Sequence, residues 1–80
     1  MSAAEAQEVK NLLLRSNEQY RQLSERHHQL DDRLHELTAR PYLTASQRFE
    51  EVTLKKRKLA LKDQMEQMAL EYAKTRIRAS

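Results

Sequence analysis

The sequence predicts an all-α fold: an antiparallel two-helix hairpin, coiled-coil-like, that dimerises into a four-helix bundle. Three observations lead there. The 80 residues contain no glycine and a single proline, Pro41, so few reversals with positive φ are available and one breaker stands near the middle. Charged residues make up 34% of the chain and hydrophobic ones 39%, a mixture that suits long helices better than a disordered tail. Good helix formers continue on both sides of Pro41, with apolar residues at helical spacing.

Residues 1–80 read as one helical-hairpin domain. Ser2-Ala3-Ala4-Glu5 has the spacing of a capping box, which starts the first helix at Ala3. That helix is expected over about 3–39, because Pro41 drives Arg40 out of the α region. A corner at about 40–43 follows. Thr44-Ala45-Ser46-Gln47 is a second box, and Glu50 and Glu51 favour the positive end of the dipole just behind it. The second helix is expected over about 44–78, with Lys74, Arg76 and Arg78 near its negative end. A corner this short makes the helices antiparallel neighbours.

The first helix keeps a heptad. Val9, Ser16, Leu23, Leu30 and Leu37 hold a-type positions, and Ala6, Leu13, Tyr20, His27 and Leu34 hold d-type positions. The second helix has two apolar faces. Leu54, Leu61, Met65, Met68 and Tyr72 fall on one, and Phe49, Val52, Leu59, Leu70 and Ile77 fall roughly opposite. Placing the corner at Tyr42 sets Leu34 beside Phe49, Leu30 beside Val52, Leu23 beside Leu59 and Leu13 beside Leu70. It also sets Tyr20 by Asp63 and His27 by Lys56. The expected hairpin seam is therefore Leu13, Tyr20, Leu23, His27, Leu30, Leu34, Phe49, Val52, Leu59, Asp63 and Leu70. Leu54, Leu61, Met65, Met68 and Tyr72 are left for a homodimer interface, although a shift of one turn at the corner exchanges the two faces. A lone two-helix rod hardly offsets the entropy of ordering its residues, which is the energetic reason to expect a partner.

Tyr20-x-x-Leu23-x-x-x-His27-x-x-Leu30-Asp31-x-x-Leu34 resembles the first-helix pattern of the YdcH-like proteins, a family of small bacterial proteins of unknown function. Val52-x-Leu54-Lys55-Lys56-x-Lys58-Leu59-x-Leu61-Lys62-Asp63-x-Met65 resembles their second-helix signature, and its Lys-Leu-x-Leu-Lys-Asp string is the more specific part. The resemblance spans about half of the chain. It implies a helical hairpin and no settled activity. Tyr20 stands where phenylalanine is usual in that family, and the corner lacks the glycines often found there.

Few side chains suggest chemistry. His28, Asp32 and His35 share one side of the first helix at i, i+4 and i+7, a spacing that suits zinc or nickel. A fourth ligand is missing from the pattern, and a solvated polar face is the simpler reading, so no metal or cofactor is expected. His27, in a seam position, reads either as a pH switch or as a neutral, hydrogen-bonded residue that specifies register. Tyr20 and Asp63 read as a register pair across the seam rather than an acid–base dyad. Without glycine or cysteine there is no phosphate loop, thiol motif or disulfide, and no enzyme is expected.

The net charge of +3 is uneven: residues 1–40 carry −1 and residues 41–80 carry +4. Lys55, Lys56, Arg57, Lys58 and Lys62 are the candidate nucleic-acid contacts, although consecutive basic residues on a helix point around the whole cylinder and no aromatic platforms are interleaved with them. The start of the chain lacks the charge and apolar core of a secretory signal, and the longest apolar run is Leu12-Leu13-Leu14, so a cytoplasmic protein with no membrane contact is expected. The reading is a non-enzymatic protein–protein interaction module, homodimeric and with a further protein partner. The alternative is a weak nucleic-acid-binding protein using the basic second helix.

Overall fold

The computed structural model describes residues 2–79, with side chains described as far as Thr75. The chain is all-helical, in the order α1 (Ala3–Ser16), α2 (Glu18–Thr38) and α3 (Ala45–Ala79). The Ser2 hydroxyl oxygen accepts the Glu5 amide at 3.2 Å and opens α1, satisfying one of the donors that a helix start leaves unpaired.

The continuous first helix expected over 3–39 is interrupted at Asn17. This residue is extended, with φ −121° and ψ 111°. Its amide donates to the Leu13 carbonyl at 2.8 Å, closing α1, while its Oδ1 accepts the Tyr20 amide at 2.9 Å, opening α2. Both helix ends find their partners at a single residue, so the break strands little backbone. The heptad continues across it, because Leu13 and Tyr20 are buried on either side.

At the end of α2 the Ala39 amide donates to the His35 carbonyl at 3.0 Å, and the Arg40 amide to the Leu37 carbonyl at 3.2 Å. Pro41 prevents any continuation. The Thr44 box forms in both directions. Thr44 Oγ1 accepts the Gln47 amide at 3.1 Å, and Gln47 Oε1 accepts the Thr44 amide at 2.9 Å. From there α3 runs back along α2 and then α1, in a body of 54 × 22 × 17 Å.

Two apolar clusters hold the three helices. Leu34 and Leu37 of α2 meet Leu54 of α3, with Leu30 and Leu43 packed at their side. Val9 and Leu13 of α1 and Tyr20 of α2 meet Ala69, flanked by Met65, Met68, Tyr72 and Ala73. An ion pair clamps α2 to α3, where Arg33 donates to Glu50 at 2.8 Å and to Glu36 at 2.9 Å.

The two faces of α3 are thus exchanged relative to the sequence expectation. Leu54, Met65, Met68 and Tyr72, expected on a dimer face, pack inside the chain, and Leu61 is half-buried. Phe49, Val52, Leu59 and Leu70, expected in the seam, are 74%, 50%, 59% and 48% exposed. The physical reason lies in what separates the apolar residues. The Phe49 face carries Lys56, Asp63 and Glu66 among its apolar positions, and burying it in the seam would desolvate all three charges. The Leu54 face can be buried without that cost, and among the described residues none that is buried is polar or charged. The expected place of Ile77 falls outside the described side chains, as do those of Arg76 and Arg78.

Candidate interaction surface

The outward stripe of α3 has the spacing of a heptad seam. Phe49, Val52, Lys56, Leu59, Asp63, Glu66 and Leu70 follow alternating steps of three and four residues, the spacing by which one helix presents itself to another. All seven are exposed. Among the described residues none of Lys56, Asp63 and Glu66 enters an ion pair within the chain. Both expected polar seam pairs are therefore absent. Asp63 stands outside and Tyr20 packs by Met65, while Lys56 points away from His27.

Beside this stripe, α2 and α3 enclose an open groove of about 380 Å³. Leu34 and Leu59 belong to its apolar lining, with His27, Asp31, His35 and Thr38 from α2 facing Lys55, Lys58 and Lys62 from α3. A second groove of about 330 Å³ shares His27, Lys58 and Lys62 and adds Lys10, Tyr20, Met65 and Glu66. Of the basic string, Lys55, Lys58 and Lys62 therefore form a stripe at helical spacing, and Lys56 and Arg57 lie elsewhere. Consecutive basic residues alone would spread around the helix. The 55, 58, 62 spacing is the sequence signal that places these three on one side.

Asp31 organises the first groove. Lys58 donates a hydrogen bond to it across the helices, and His35 Nδ1 lies 3.8 Å away. The hydrogen bond from Lys58 holds the Asp31 carboxyl below the usual carboxylate value, against a smaller opposing effect of burial, and the charges of Lys58, His35 and His27 add to the lowering. Burial pushes the Tyr20 hydroxyl above its usual value, helped by the nearby Glu66 carboxylate.

The His28, Asp32 and His35 set does not converge. His28 approaches Asp32 at 3.7 Å, but His35 turns to Asp31 instead. Among the described residues no group of three or more His, Cys, Asp or Glu is placed to hold a metal ion.

The fold and its surface define a small all-helical chain with grooves between its helices and an apolar heptad stripe facing outward. It belongs to a family described as protein of unknown function, DUF465, which matches residues 21–69 and to which the YdcH-like proteins belong. The matched stretch takes in most of α2, the corner and α3 as far as Ala69. No curated protein and no solved structure matches the chain. Among the described residues no helix is long and apolar enough to cross a membrane.

Proposed function

We propose that this chain is a non-enzymatic protein-association module, a helical hairpin whose outward stripe on α3 receives a helical face of a partner. One observation carries the reading: Phe49, Val52, Leu59 and Leu70 are all exposed and share one heptad stripe. Single exposed leucines are ordinary, but large apolar side chains recurring at heptad spacing are what a partner helix reads. The groove side chains fit this role better than catalysis, because Asp31 is already engaged by Lys58 and His35 in an open groove. A cytoplasmic setting suits a chain without cysteine.

The test compares affinity capture from a native extract by the wild-type chain and by a Leu59→Glu, Leu70→Glu double variant. Both positions are exposed, so helicity is expected to persist in the variant. A protein held by the wild type and lost by the variant supports the reading. Self-association of the chain through this stripe supports it as well, whereas equal capture by both, or neither capture nor self-association, overturns it.

A second reading, polyanion binding, draws support from the stripe of Lys55, Lys58 and Lys62 along the α2–α3 groove. Retention on heparin at physiological salt, lost on changing Lys55 and Lys62 to Gln, is its expected sign, with an affinity that falls as salt rises. A chain that passes through heparin unretained removes this reading.

A further inference from the structure

The outer stripe of α3 is complementary to its own reverse. In a parallel pairing of two copies, Lys56 would face Lys56, Asp63 would face Asp63 and Glu66 would face Glu66, three like-charge layers inside one seam. Reversing one helix about the level of Leu61 removes the conflict. Val52 then lies level with the partner's Leu70, Lys56 with the partner's Glu66, and the large Phe49 with the small Ala73. Leu59 falls beside the partner's Asp63, whose carboxylate lies within a helical turn of Lys56 across the seam. A two-fold axis repeats each contact, so one Lys56–Glu66 match supplies two ion pairs. The lysine stem can cover apolar neighbours while its ammonium reaches the edge of the seam.

We propose that this face is covered by a second copy of the chain, α3 against α3 and antiparallel, with Lys56 opposite Glu66 setting direction and register. The proposal rests on the association reading above and names its occupant. It also moves self-association to the face opposite the one that sequence periodicity suggested. The occupant follows from the order of charges: the stripe runs apolar, cation, apolar, two acids, apolar, and a second identical stripe reversed brings each Lys56 level with a Glu66 where a parallel one would stack like charges.

The test uses the full chain. Sedimentation equilibrium from micromolar to submillimolar concentration is expected to give twice the 9.5 kDa chain mass. Lys56→Glu places an acid opposite Glu66 and is expected to weaken the dimer by about tenfold or more, and adding Glu66→Lys is expected to restore it. The chain has no cysteine, so orientation can be read from single-cysteine variants. Val52→Cys mixed with Leu70→Cys is expected to form the mixed cross-linked dimer, with little of either self-linked species. Self-linking of Val52→Cys alone would show a parallel pairing and overturn the proposal, as would an unchanged dimer in Lys56→Glu. A monomeric wild-type chain that still captures another protein through this face overturns the second copy and leaves the association reading standing. A chain that does neither overturns both.

Discussion

Asn17 Oδ1 accepts the Tyr20 amide at 2.9 Å while the Asn17 amide closes the preceding helix on Leu13, so one residue ends α1 and starts α2. Removing the side chain leaves a helix start uncapped. Asn17→Ala is expected to cost about 1 kcal/mol, and Asn17→Asp or Asn17→Ser only a fraction of that, because both retain a capping oxygen. Urea denaturation of the three variants reads the difference. No loss in Asn17→Ala would mean that the joint is held by packing alone.

The Asp31–Lys58 contact sets an acid dependence. A carboxyl held low in the folded state contributes stability that is fully present above its unfolded value, 3.8, and is lost as pH falls from there through the lowered folded value. In Lys58→Met the Asp31 carboxyl is expected to titrate higher than in the wild type, and stability is expected to fall less steeply over that acid range. Carbon-13 NMR titration of Asp31 checks the first expectation and acid-dependent melting the second. An Asp31 titration unchanged by the substitution would dissociate Lys58 from the effect.

Tyr20 sets the opposite limit. Its hydroxyl is raised in the folded state, so its contribution is fully present below the unfolded value of 10.0 and is lost as pH rises from there through the raised folded value. Tyr20→Phe is expected to flatten the alkaline decline in stability without abolishing the fold, because the ring is retained. Spectrophotometric titration of the phenols, with melting above pH 10.0, reads both. A decline just as steep in Tyr20→Phe would place its origin elsewhere.

Local signals account for much of what could be read from the sequence. Ser2, Thr44 and Pro41 act through their nearest neighbours, and their caps and stop follow from residue type and spacing. Asn17 carried a signal of the same kind, a good capping residue followed by Glu18, but the heptad continues through the break and hid it. The direction in which α3 turns is different in nature. It depends on how the chain leaves α2 and enters α3 through residues 39–44, and periodicity alone is silent about that rotation. Charge would have decided it: Lys56, Asp63 and Glu66 mark the Phe49 face as costly to bury inside one chain. The α2–α3 groove depends on the same rotation, which is why Lys58 meets Asp31 rather than lying on an outer edge.

The most direct measurement compares Leu54→Ala with Leu59→Ala by denaturation at a concentration low enough to keep the chain monomeric. Leu54 is 8% exposed within the Leu34–Leu37 cluster, and truncating a buried leucine costs about 2–5 kcal/mol. Leu59 stands on the outer stripe, where a comparable truncation is expected to stay within about 0.5 kcal/mol. A large loss at Leu54 with almost none at Leu59 is the expected result. A larger loss at Leu59 than at Leu54 would contradict the account, since it would turn the outer stripe of α3 back into the seam.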